Sequence, residues 1–138
     1  MFGQSGPRMA APANYSKLKD AKSIVVKNQD HDVFGDGTVI IKSAPGHTPG
    51  HSAFLLASCN QQLMISNDVA YVPALLAPHP EWQGAYDQDG PLAVETRRKL
   101  IDRVIADKMA ICGAHFPFPG AGAFAKDGAG YAFTPVQA

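Results

Sequence analysis

Cysteine, tryptophan and net charge are all scarce in this chain. Its 138 residues include two cysteines, Cys59 and Cys112, and one tryptophan, Trp82. Two cysteines make no disulfide framework, so stability must come from a packed core. Cys112 sits in an apolar run and reads as a small core residue. Twelve basic residues balance twelve acidic ones, which removes the electrostatic case for binding nucleic acid or an anionic membrane. No apolar run is long enough to cross a bilayer, and the N-terminus lacks the apolar stretch of a secretion signal. A cytoplasmic protein is the expectation. No internal repeat is visible. What remains is 46% hydrophobic and 17% charged, an ordinary composition for a chain that can build one core.

The punctuation of the chain divides it into elements. Residues 1–22 are rich in Gly, Pro, Ala and Ser without periodicity and read as a flexible N-terminal arm; residues 23–138 read as one domain. Ser23 to Lys27 reads as a strand, and the turn at Asp36-Gly37 leads into a second, Thr38 to Ser43. Ser52 to Ser58 and Gln61 to Ser66 flank a Cys59-Asn60 turn as a hairpin. Val72 to Gly90, with Pro73, Pro78 and Pro80, reads as a long loop. Pro91 then opens a helix, as proline in a first turn does. Leu92, Ala93, Leu100, Ile101, Val104 and Ile105 fall near one face of it, with Glu95, Arg97, Arg98, Asp102 and Arg103 mostly elsewhere. Met109 to Cys112 reads as another short strand, reached through that helix. The pattern is that of an α/β (α+β) domain, a largely antiparallel sheet with a helix on one face.

Three of the strand ends carry chemistry. Pro45-Gly46-His47-Thr48-Pro49-Gly50-His51 sets His47 in a tight bend between two strands, because each Pro-Gly pair forces a turn. Asp68 follows the strand Leu63-Met64-Ile65 and its Ser66-Asn67 turn, and His115 follows Met109 to Cys112. Two imidazoles and a carboxylate, each just past a strand, are the donor types that a divalent ion such as zinc takes. A metal-free reading of each also exists: a turn hydrogen bond for His47, capping of Val69 or Ala70 for Asp68, and a surface position for His115.

These motifs resemble the C-terminal half of the metallo-β-lactamase-fold hydrolases. His47 matches the histidine of that superfamily's third motif, Asp68 its bridging aspartate and His115 its last metal histidine. The separations of 21 and 47 residues between them are similar to those of the methyl parathion hydrolase branch and related lactonases. So are Gly113-Ala114-His115-Phe116-Pro117-Phe118-Pro119-Gly120, Gly130-Tyr131, Thr134-Pro135-Val136, and Asp87-Gln88-Asp89 with Thr96-Arg97-Arg98. The resemblance implies half of an αββα sandwich and a centre in which a divalent metal, zinc foremost, activates water. Esters, lactones or phosphotriesters are the small-molecule substrates it implies. Asp68 is then the catalytic carboxylate as well as a metal ligand with His47 and His115.

The superfamily's H-x-H-x-D-H motif, which supplies the remaining ligands, does not occur in these 138 residues. His31-Asp32 is a distant echo and His31 reads as a solvated turn residue. The expectation is therefore a half-site, completed by a second copy in a homodimer or by a complementing N-terminal half. The alternative is a truncated, non-catalytic half-domain. Around the centre, His51 reads as support for the His47 loop. His79, Trp82, Phe116 and Phe118 read as candidates to border an apolar substrate pocket, with plain packing as the alternative.

Overall fold

The structure, a computed structural model, describes residue 13 and residues 16–137. Among these residues seven strands form one sheet, ordered in space as in the chain: β1 (His31–Asp32), β2 (Val39–Ser43), β3 (Ser52–Ser58), β4 (Gln61–Ile65), β5 (Ala110–Cys112), β6 (Ala121–Asp127) and β7 (Gly130–Pro135). All neighbours are antiparallel except β4 and β5. A parallel pair cannot be joined by a tight turn and needs a crossover. The crossover here holds a 3-10 turn (Asn67–Ala70), a one-turn helix α1 (Pro73–Leu76) and the long helix α2 (Gly90–Ala106). The result is the mostly antiparallel α+β sheet with a helix on one face that the sequence implies.

Helix α2 starts where its chemistry allows. The Asp89 side chain accepts a hydrogen bond from the Leu92 N–H at 3.1 Å, and Pro91 occupies the first turn, where its missing N–H costs nothing. Its buried stripe is Ala93, Arg97, Leu100, Ile101 and Val104. Ile40, Leu55, Met64 and Ile111 stand side by side across β2 to β5. They share one core with Leu100, Ile101 and Val104. Arg97 therefore belongs to the core-facing stripe, not to the solvent face where its charge suggested it would lie.

Residues alternate across a strand, so Val39, Ile41, Phe54, Leu56, Leu63 and Ile65 turn to the opposite face of the sheet. All six are half-buried, and the hydrophobic core contains none of them. Cys112 is in register with Ile65 on that face. It is half-buried rather than a core residue, and partial burial pushes its thiol pKa up.

Other expectations are corrected at the edges. Residues 23–27 form no strand: Ile24 and Val25 stay 71% and 73% exposed. The position beside β2 is taken instead by β1, through His31 paired with Ile41 and Asp32 with Ile40. His31 is thus a half-buried edge-strand residue, not a turn residue. The segment from Val72 to Gly90 is not all loop, because Pro73 opens α1. Of the N-terminal arm, residues 1–12, 14 and 15 lie outside the described residues, while residues 16–22 are exposed. Among the described residues no helix is long and apolar enough to cross a membrane.

Candidate functional site

The loop between β2 and β3 is closed by its own backbone and then clamped to the start of α2. The Ala44 N–H donates to the His51 carbonyl at 2.9 Å, and the Gly46 and His51 N–H groups both donate to the Thr48 carbonyl at 3.2 Å. The Thr96 hydroxyl donates to the Pro45 carbonyl at 2.6 Å. The Asp89 and Gln88 N–H groups donate to the carbonyls of Gly46 and His47 at 3.0 and 3.2 Å. Only glycine fits at position 46: its φ is +133°, and a Cβ there would lie 2.4 Å from the Ala93 backbone. Gly46→Ala should therefore lose about 1–3 kcal/mol through backbone strain and a comparable amount through overpacking. Urea unfolding measures this, and wild-type stability in the variant would show that the loop does not depend on the contact.

Asp68 lies in the 3-10 turn after β4. The preceding Asn67 has φ +49°, a left-handed conformation asparagine tolerates, and its amide donates to the Ser52 carbonyl at 2.8 Å. The Asp68 N–H donates to His51 Nε2 at 3.3 Å, while His51 Nδ1 lies 3.2 Å from the Ala44 carbonyl. An imidazole that accepts at Nε2 and donates at Nδ1 is neutral. Burial lowers the His51 pKa, against the opposing contact with Ala44. His51 is thereby a strut between the His47 loop and the Asp68 turn.

His47 and His115 each approach one oxygen of the Asp68 carboxylate. His47 Nε2 is 3.8 Å from Asp68 Oδ2, and His115 Nε2, on an exposed ring, is 3.3 Å from Asp68 Oδ1. The His115 approach makes no hydrogen bond, and Asp68 Oδ1 is buried without a partner.

Behind His47 stands a pair that the sequence reading did not place in the site. His47 Nδ1 lies 3.0 Å from Asp87 Oδ1. Asp87 Oδ2 accepts the Gly84 N–H at 2.9 Å and lies 3.5 Å from an Arg97 guanidinium nitrogen. Both side chains are 1% exposed. Arg97 donates to the carbonyls of Val69, Pro80 and Trp82 at 3.0, 3.1 and 2.7 Å. Burial lowers the Arg97 pKa and Asp87 opposes that shift. Tyr71, with its ring centroid 5.7 Å from that of His47, has a raised pKa, first from burial and then from the charge of Asp87.

The aromatic candidates go elsewhere. Phe116 is buried and packs against Phe124 and Phe133, with centroids 6.3 and 4.9 Å away, which places it in the core. Phe118 is 86% exposed. Trp82 stacks on His79 at 4.2 Å, and His79 faces Glu81 at 3.5 Å. Among the described residues none of His79, Trp82 and Phe118 is hydrogen-bonded or ion-paired to His47, Asp68 or His115.

The donors at Asp68 fit a divalent ion in kind: two imidazoles and a carboxylate oxygen that lacks a donor. In number they fall short. Among the described residues no three His, Cys, Asp or Glu side chains converge closely enough to hold an ion.

No family model matches the chain. Over 42 residues it is 45% identical to N-acyl homoserine lactonase AttM of Agrobacterium fabrum, which covers 30% of this chain and 16% of that protein. Its structure is similar to that of AidC, a dizinc quorum-quenching lactonase solved in complex with a product, with a TM-score of 0.74 and 27% identity over 83% of this chain and 38% of AidC. It is similar also to AbOPH, a hydrolase in the beta lactamase superfamily, with a TM-score of 0.75 and 25% identity over 92% of this chain and 42% of that one. The chain thus spans less than half the length of these relatives. Its fold is that of the metallo-β-lactamase-superfamily hydrolases.

Proposed function

We propose that this chain supplies part of the centre of a metal-dependent hydrolase of esters, lactones or phosphotriesters. The observation that carries this reading is the Asp68 carboxylate, with Oδ1 buried and unpartnered and an imidazole Nε2 to either side. Leaving a buried carboxylate oxygen without a donor is costly, and a cation at that point removes the cost. His47, Asp68 and His115 would contribute ligands to the ion without holding it alone, and zinc is the favoured identity because AidC is a dizinc enzyme. A bound divalent ion supplies a water of near-neutral pKa and polarises a carbonyl or phosphoryl oxygen. Asp68 would thus help to hold the ion and orient the water that it activates. The lactonase relatives favour a lactone among the possible substrates.

In this reading further ligands come from a second copy in a homodimer or from a complementing N-terminal half. Two features support that completion: no three donors converge among the described residues, and one face of the sheet keeps Val39, Ile41, Phe54, Leu56, Leu63 and Ile65 half-buried. The competing reading is a non-catalytic half-domain, and metal content separates the two. Plasma mass spectrometry on protein purified without chelator should find about one divalent ion per chain or per dimer. The same protein should hydrolyse an N-acyl homoserine lactone, an aryl ester or a phosphotriester. A folded, metal-free protein inert toward all three ends completion by a homodimer, and if adding a complementing N-terminal half restores neither metal nor hydrolysis, the hydrolase reading ends. A monomer in light scattering at high concentration ends the homodimer.

A further inference from the structure

The buried pair behind His47 is a device for holding one imidazole tautomer. We infer that Asp87, backed by Arg97, is a positioning residue that fixes His47 with its proton on Nδ1 and so keeps the Nε2 lone pair turned toward Asp68. A carboxylate only accepts hydrogen bonds, so the nitrogen 3.0 Å from Asp87 Oδ1 carries the proton. The Asp87 side chain is 1% exposed, which leaves water no place as a competing partner. Its other oxygen is already committed to the Gly84 N–H and the guanidinium. Arg97 is in turn pinned by three backbone carbonyls, so its charge does not wander from the pair. The functional consequence rests on the metal reading above, since a histidine ligates through an unprotonated nitrogen and its other N–H sets ring orientation.

The geometry also dictates what an isosteric substitution does. In Asp87→Asn the amide oxygen must remain at the Oδ2 position, where the Gly84 N–H donates and the Arg97 guanidinium lies 3.5 Å away. The amide nitrogen is then forced onto His47 Nδ1 and donates to it, which drives the ring proton to Nε2. The same inversion follows when the aspartate of a serine-protease triad becomes asparagine.

The test is a long-range proton–nitrogen correlation spectrum of the metal-free protein in alkaline buffer, where imidazole is neutral, with His47 assigned through His47→Gln. The expected result is a proton on Nδ1 in the wild type and on Nε2 in Asp87→Asn, together with a zinc affinity lowered about 10–100-fold in the variant. A wild-type spectrum with the proton on Nε2 overturns the inference, and this measurement stands even if Asp87→Asn does not fold. A folded Asp87→Asn that keeps the proton on Nδ1 overturns it too. Because the spectra are recorded without metal, the tautomer question is decided on its own result, and zinc binding by the wild type bears separately on the hydrolase proposal.

Discussion

Replacing Arg97 by methionine is expected to lower stability by about 3–5 kcal/mol, the cost of stripping one partner from a buried ion pair. The Arg97 side chain is 1% exposed, and its removal strands more than one group. Asp87 loses its countercharge at 3.5 Å, and the carbonyls of Val69, Pro80 and Trp82 each lose a donor. Those three carbonyls belong to the stretch between β4 and α2, so the variant should also loosen the segment that carries Asp87 to His47. Urea denaturation reads the loss directly. The double variant Arg97→Met with Asp87→Leu should recover part of it, because an apolar pair in place of a buried ion pair is often neutral or better. It should not recover the His47 tautomer. If Arg97→Met alone changed stability by no more than about 0.5 kcal/mol, the size of an ordinary surface substitution, the pair would have no structural weight.

Arg97 also shows where sequence reading stops. It is four residues after Ala93 and four before Ile101, the spacing of the buried face, yet polarity alone assigns it to solvent. Its partners are three backbone carbonyls and an aspartate ten residues earlier in an irregular stretch, none of which leaves a periodic trace. Asp87 was visible only as part of a resemblance, because its contact with His47 spans 40 residues. The His47 loop and the Asp68 turn were legible for the opposite reason: Pro-Gly pairs and short apolar runs are local signals, and strands β2 to β5 follow from them closely. The apolar run at Ile24 and Val25 misled because a strand needs an edge to join, and the edge beside β2 is occupied by His31 and Asp32. For Phe116 the sequence leaves a pocket wall and plain packing both open, and its ring lies against Phe124 and Phe133 from the β6–β7 hairpin, as the packing alternative has it.

The second large effect is one of opposite signs. Asp68→Asn is expected to abolish metal affinity and, in metal-free protein, to raise stability by about 1–3 kcal/mol, the usual cost of an unsatisfied buried polar group. The wild-type carboxylate keeps Oδ1 buried with no hydrogen-bond partner, although His115 Nε2 is only 3.3 Å away. A neutral amide costs less to leave unpaired at that position than a carboxylate does. Thermal melts with and without zinc separate the two effects. At zinc concentrations about 1,000 times its dissociation constant the wild type should gain about 4.1 kcal/mol, by simple linkage, and the asparagine variant should gain nothing. The order of stability then reverses between the two conditions. A residue that destabilises the empty protein and stabilises the loaded one is placed for a ligand and not for the fold. Should Asp68→Asn instead weaken the metal-free protein, the carboxylate would be a structural group of the turn, and its bare oxygen would no longer argue for a metal centre.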